Sequence, residues 1–421
     1  MTCEYIKVVG GTPLVGEVAA SGAKNACLPI IAASLLTDQD VVLSNVPNLA
    51  DVKSLLEILK GIGVSVEWLS EGCLRINAKN IHTTQLLDDF VKTMRASVLM
   101  LGSLLARFGS ARLSLPGGCT IGARPIDQHV KAFKMLGAEV DVGEFEIAAT
   151  AKELSGQKVR FDVVTVTGTE NLMMAACLAN GVTVIENAAC EPEIEDLANF
   201  LNKLGAKVNG AGTSVIRIDG VNRLGGAQYN VMGDRIEAGT YMCVAVATKG
   251  DITVNNISPN CVMPILKKIQ ETGAQTTYGE NWVRVKMALT PVATDIVTEP
   301  HPGFPTDMQS QFMALSAVSE GVSHITETIF ENRYMHVPEL MKMGAKIKVS
   351  GQEAEVHGGT LQGATVYSTD LRAAAALIVA ALAAEGETKI YNLQYLDRGY
   401  EKIEEKLTKL GAKIERVIEA C

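Results

Sequence analysis

Aromatic residues are scarce, at 5% of a 421-residue chain that has only two tryptophans. A core poor in rings must be built from Ala, Val, Ile and Leu, within a hydrophobic share of 47%. That favours helices packed closely on sheets over an aromatic-rich recognition surface. Basic excess is also missing. A formal charge of −9 excludes a protein that coats nucleic acid, because neutralising phosphates needs a basic face. It leaves room for small anionic ligands held by a few focused Arg and Lys side chains. No apolar run is long enough to span a bilayer. The longest, Ala373 to Ala384, suits helix packing, and MTCEYIKVVGG at the start has no apolar signal core. Neither a membrane partner nor a secretory leader is expected.

The nine cysteines stand at 3, 27, 73, 119, 177, 190, 243, 261 and 421. They form no C-x-x-C and no paired spacing, so neither a disulfide framework nor a zinc site is signalled. A reducing cytoplasm is the expected compartment. His301 and His336 lack ligand spacing, and no metal is expected.

What the chain does have is a repeat. Glycines 63, 137, 205, 273, 344 and 411 each follow a helical pattern and precede a β-type run, in IGVSV, LGAEV, LGAKV, TGAQT, MGAKI and LGAKI. The intervals are 74, 68, 68, 71 and 67 residues. A helix closed by a left-handed Gly before the next strand explains this marker. A second series runs in phase with it. SGAKNA, MRAS, TGTEN, DRIEAGT, TDMQSQ and TDLRAA read as helix starts. After each of these helices comes a β-run and a polar turn, as in VVLSNVP, VTVIENA and ITVNNIS. Each unit of about 70 residues thus reads as strand, helix, strand, helix, strand, strand. Six such units predict an α/β protein of two domains of similar size.

The second unit departs most from its siblings. Its turn is LPGGCTIGARPI, Leu115 to Ile126, where the others carry Asn or Glu. Glycines on both sides of Cys119 predict a flexible loop of the kind that carries catalytic groups or closes over them. Arg124 stands where its charge favours a thiolate or holds an anion. Buried filler is the competing reading of any cysteine, and it fits Cys27, Cys177 and Cys243 in their small-residue helices. For Cys119 both readings stand on these residues alone.

Lys24, Asn25, Arg95, Asp234, Asp307, Asp370 and Arg372 fall at or near expected helix starts, where free N–H groups bind anions. Asp234, Asp307 and Asp370 also read as simple N-caps. HPGFPTD places two prolines before Asp307, fixing its approach, and TETIFENRYMH sets Glu331 and Arg333 beside a turn.

SGAKNA, MRAS, LPGGCTIGARPID, ENAACEPEI, FPTDMQ, ETIFENRYMHVPEL, TDLRA and LDRGYEKIEEKL together resemble the UDP-N-acetylglucosamine enolpyruvyl transferase family, in its order and over nearly the whole chain. The resemblance implies two inside-out α/β domains, each of three βαβαββ units. It places residues 22–232, with the Cys119 loop, in the N-terminal domain, and 1–21 with 233–421 in the C-terminal one.

The implied activity is addition–elimination between phosphoenolpyruvate and the 3-hydroxyl of UDP-N-acetylglucosamine, releasing phosphate, as the first committed step of peptidoglycan synthesis. Carried over residue by residue, Cys119 is the acid towards C3 and Asp307 the base near the sugar hydroxyl. Lys24, Arg124 and Arg398 hold the phosphate and carboxylate of phosphoenolpyruvate, with Asn25 beside them. Arg95, Arg124, Pro125, Ile126, Asp127, Gln128, Asp307 and Ile329 meet the UDP-sugar, while Asp51, Glu331, Asp370 and Arg372 line the cleft. No cofactor is implied, the partners are the two small substrates, and the expected state is a monomer or weak homo-oligomer.

Two positions depart from the pattern. Val163 stands where some members have Lys, and Cys190 where Arg is common. Transfer to shikimate 3-phosphate is the nearest rival, but KTMRASVLMLG replaces that enzyme's Gly-rich motif. RNA-terminal phosphate cyclases share related repeats, yet the acidic charge opposes them. A non-catalytic UDP-sugar sensor would have no need of Cys119, Asp307, Lys24 and Arg398 together.

Overall fold

The computed structural model describes residues 2–86, 95–114 and 125–420. Among them are twelve α-helices and six four-stranded sheets. Every sheet has the same pattern: an edge strand lies parallel to its neighbour, which pairs antiparallel with a third strand, and that one pairs antiparallel with the other edge strand. In one sheet, Lys158–Arg160 lies parallel to Val182–Glu186, which pairs antiparallel with Val215–Asp219, and that in turn with Lys207–Asn209.

Three sheets borrow a strand from far along the chain, one of them taking Val15–Ala19 as the parallel strand beside Asp251–Asn255. Ala227–Asn230 supplies the parallel strand beside Val41–Ser44, and Thr2–Val9 enters between Glu387–Tyr391 and Lys413–Ala420. The residues group into two compact units. Among the described residues, one unit takes those between Gly22 and Met232, and the other those up to Ser21 and from Gly233 onward.

Within each unit the helices lie inside and the sheets outside. All thirteen residues of helix Arg235–Ala247 are buried, as is nearly all of Leu371–Ala383. A helix apolar on every side has to be buried on every side. The strands alternate instead, as in Val215–Asp219, whose even face is buried and odd face exposed, the signature of a sheet with one wet side. Small residues permit the close helix packing. A Cβ on Gly239 would stand 2.8 Å from Met308 Sδ, and one on Gly102 2.4 Å from the Asn171 carbonyl oxygen. The six marker glycines all have φ between +90° and +102°, where only Gly sits without strain. Cys27, Cys177 and Cys243 are fully buried, and burial pushes the Cys177 thiol up to about 12. Cys3 is disulfide-bonded, which the spacing of the cysteines did not signal.

Candidate active site

The helix starts that carry candidate residues are built in different ways. Asp234 is an N-cap, its Oδ1 accepting from the N–H groups of Ile236 at 2.8 Å and Glu237 at 3.0 Å. Asp370 caps its helix likewise, through Arg372 N–H at 2.8 Å and Ala373 N–H at 3.0 Å. Such a cap satisfies two otherwise orphaned donors. Asp307 is not a cap. It sits inside the short 3-10 turn Thr306–Met308, and its two oxygens face two guanidinium groups. Oδ1 accepts from Arg333 Nη2 and Oδ2 from Arg372 Nη2, each at 2.7 Å. The arginine side chains are 4% and 6% exposed and the carboxylate 26%, so the anion alone of the three opens to solvent.

The loop beneath Asp307 is anchored on both sides. Phe304 packs edge-on against Phe312 with ring centroids 4.9 Å apart, and Met308 is fully buried. Burial would pull the Arg372 guanidinium down. The charges of Asp307, Tyr400 and Asp234 outweigh it and hold the group above its ordinary range. His336 lies in the same neighbourhood, 1% exposed. Burial pushes its imidazole down to about 4, with Asp370 opposing the shift and Arg333 adding to it. Its Nε2 has no hydrogen-bond partner.

Arg398 ends the short turn Leu396–Arg398 and is half-buried. The residue before it, Asp397, is gripped by Arg416 at 2.6 and 3.1 Å. Arg416 also bonds Glu404 at 2.9 Å and Glu4 at 3.1 Å. Ile329 is exposed, with its N–H bonded to Glu327, and Glu331 is exposed nearby.

In the other unit Lys24 opens helix Lys24–Ala33, which has no acidic residue in its first turn and no side-chain cap. Its Nζ lies 3.3 Å from Oδ2 of Asp51, in the first turn of helix Ala50–Gly61. Two residues singled out separately in the sequence are thus neighbours. Asn25 follows, half-buried.

Pro125 and Ile126 lead into helix Asp127–Met135. Gln128 donates to Asp127 at 2.8 Å and to Asp162 at 3.3 Å, while the Asp162 N–H donates back to Gln128 Oε1 at 2.9 Å. This joins the helix start to the segment holding Val163, which is 60% exposed. Cys119, Arg124 and the side chain of Arg95 lie outside the described residues. Among the described residues, no group of three or more His, Cys, Asp and Glu is placed to hold a metal, and no helix is long and apolar enough to cross a membrane.

Sequence reasoning noticed Arg333 and His336 but gave neither a part in the site, and it missed Glu327 and Arg416. For Glu327 a signal existed, since it occupies a position where sibling repeats carry Asn.

Comparison with known proteins gives a consistent result. Residues 8–407 match the family model of EPSP synthase (3-phosphoshikimate 1-carboxyvinyltransferase). UDP-N-acetylglucosamine 1-carboxyvinyltransferases from two strains of Coxiella burnetii, Dugway 5J108-111 and RSA 493 / Nine Mile phase I, are each 51% identical over 413 residues. The match covers 97% of this chain and 95% of theirs. Among solved structures, the enolpyruvyl transferase NikO from Streptomyces tendae superposes with a TM-score of 0.88 at 24% identity, covering 100% of both chains. EPSP synthase from Acinetobacter baumannii superposes at 0.77 and 17% identity, covering 99% of this chain and 100% of that one. At these identities the structural likeness speaks for the fold.

Proposed function

Because the chain belongs to the EPSP synthase family, and within it to the UDP-N-acetylglucosamine 1-carboxyvinyltransferases, we propose that its site residues divide the work of enolpyruvyl transfer as follows. The enzyme moves the enolpyruvyl group of phosphoenolpyruvate onto the 3-hydroxyl of UDP-N-acetylglucosamine and releases phosphate, the first committed step of peptidoglycan synthesis. The geometric observation that carries this reading is the Asp307 carboxylate, fixed by Arg333 and Arg372 yet open to solvent.

The sugar hydroxyl attacks C2 of phosphoenolpyruvate and gives its proton towards Asp307, while Cys119 protonates C3. A tetrahedral ketal bearing phosphate results. Loss of a C3 proton, and of phosphate with the C–O bond, leaves the enol ether. Both proton transfers need a positioned acid or base, and the phosphate and carboxylate charge needs preorganised cations. Lys24, Arg124 and Arg398 supply these, with Asn25 adjoining.

Arg95, Arg124, Pro125, Ile126, Asp127, Gln128, Asp307 and Ile329 meet the UDP-sugar. Asp51, Glu331, Asp370 and Arg372 line the site. With Val163 where Lys stands in some members, the Gln128–Asp162 pair supports the loop that faces the diphosphate. Residues 22–232 serve as one domain, and 1–21 with 233–421 as the other.

The remainder of the proposal is a cytoplasmic enzyme, monomeric or weakly homo-oligomeric, without a cofactor or a nucleic-acid partner. Free thiols at Cys27, Cys73, Cys177, Cys190, Cys243 and Cys261 support a reducing compartment, while the disulfide at Cys3 runs against it. The functional test is phosphate release with each substrate alone and with both. Release that requires phosphoenolpyruvate and UDP-N-acetylglucosamine together is expected. Release with shikimate 3-phosphate in place of the sugar nucleotide, or none from folded protein, overturns the reading.

A further inference from the structure

In four of the six repeats the second strand is followed directly by an asparagine with left-handed backbone: Asn45, Asn187, Asn256 and Asn392, with φ of 56°, 57°, 59° and 64°. Each donates its side-chain amide to the carbonyl just after its unit's first strand. The acceptors are Val231 at 2.7 Å, Phe161 at 3.0 Å, Ala20 at 2.8 Å and Ser368 at 3.1 Å. Each of these bonds ties the ends of two parallel strands together.

The fifth repeat has Glu327 in that place, without the positive φ. The residue after its first strand is Thr298, and the bond is reversed: Thr298 Oγ1 donates to Glu327 Oε1 at 3.0 Å. The structural tie is kept, and the longer carboxylate adds three more acceptances. Thr306 Oγ1 donates to Oε2 at 2.9 Å, and the N–H groups of Ile329 and Phe330 donate to Oε1 at 2.9 and 3.1 Å. Glu327 is 1% exposed.

A buried carboxylate is costly unless hydrogen bonds compensate it, and a tie between strands needs no carboxylate, as the four asparagines show. What Glu327 gains are the residue preceding Asp307 and the backbone of the segment leading to Arg333. Arg333 then closes the ring by bonding Asp307 at 2.7 Å.

We propose that Glu327 is a positioning residue of the active site, one that sets the Asp307 turn and the Ile329–Phe330 backbone in register with each other. The inference rests on the reading of Asp307 as the base and Ile329 as a sugar contact. Glu327 itself touches no substrate in this account. Misplacing a catalytic group by about 1 Å costs up to about 100-fold in rate, so the effect belongs in kcat and in the KM for the sugar nucleotide.

Three variants test this by steady-state kinetics, with thermal unfolding as the check on folding. Thr306→Val removes only the link to Asp307 and is expected to lower kcat about tenfold, with the KM for UDP-N-acetylglucosamine nearly unchanged. Glu327→Ala frees both segments and is expected to lower kcat further and to raise that KM. Glu327→Gln keeps Oε1 for the two N–H groups and donates through Nε2 to a reversed Thr306 hydroxyl, so it retains activity to within about threefold.

Folded Thr306→Val and Glu327→Ala enzymes with wild-type kcat and KM overturn the inference. So does a Glu327→Gln enzyme as damaged as Glu327→Ala, which would make charge the cause. Asp307→Asn with full activity would instead remove the reading beneath it. Should Glu327→Ala fail to fold, Thr306→Val decides alone.

Discussion

Asp307 and Arg372 are 65 residues apart in the chain, yet Oδ2 of the first accepts a 2.7 Å bond from Nη2 of the second. Arg333 meets the other oxygen. Both arginines are nearly buried, so removing the carboxylate leaves two guanidinium groups without their shared counter-charge. Asp307→Asn is therefore expected to do two things. It lowers kcat by at least about 100-fold, as loss of a general base does, and it costs about 2–3 kcal/mol of stability. Phosphate-release kinetics and urea unfolding of the same preparation measure the two. Loss of activity with unchanged stability would show that the arginines do not depend on Asp307.

Cys119 is tested chemically. Cys119→Ser is expected to abolish turnover while UDP-N-acetylglucosamine still binds by calorimetry. Fosfomycin, an epoxide that alkylates this thiol in members of the family, is expected to add one adduct to the wild type and none to the variant by intact-mass analysis. Near-normal turnover of the variant removes Cys119 from the mechanism.

His336 predicts a pH dependence. Its folded value of about 4 lies below the ordinary 6.5, chiefly through burial. Between those values the unfolded chain takes up a proton that the folded chain refuses, so stability falls as pH drops from about 6.5 towards 4. Urea unfolding of wild type and His336→Gln at pH 7 and pH 4.5 should show the stability difference shifting against the wild type in acid. Parallel behaviour of the two proteins contradicts the assignment.

Two glycines separate strain from collision. Gly205 has φ of +102° and nothing within 4 Å of the place a Cβ would take, so Gly205→Ala costs only the left-handed backbone penalty of about 1 kcal/mol. A Cβ on Gly22 would stand 1.7 Å from the Asn45 carbonyl oxygen, and that backbone has to move. Gly22→Ala is expected to cost more than about 3 kcal/mol, read as a far larger drop in melting temperature than Gly205→Ala gives.

The repeat was legible because its markers are local: a left-handed glycine and a helix start recur about every 70 residues. The pairing of the first strand with the end of the chain was not legible in the repeat, and only the family resemblance placed residues 1–21 with the C-terminal domain. Thr2–Val9 pairs with Glu387–Tyr391 and Lys413–Ala420, and no local period reports a partner so distant. First strands as short as Gln85–Leu86 and Ile296–Val297 carry no alternation at all.

The same logic divides the candidate residues. Asp234 and Asp370 read as caps because a cap is made within three residues. Asp307 read no differently, since its partners lie 26 and 65 residues away. The clue to Glu327 was legible in principle, as the unit whose turn carries Glu where four others carry Asn.

The central claim is that carbon, not phosphorus, is transferred. Phosphoenolpyruvate with heavy oxygen in its C–O–P bridge, incubated with enzyme and UDP-N-acetylglucosamine, tests it in one mass spectrum. Addition–elimination breaks the C–O bond, so the account predicts labelled phosphate and a sugar nucleotide heavier by one enolpyruvyl group. Unlabelled phosphate, with the heavy oxygen in pyruvate and the sugar nucleotide unchanged, would contradict it.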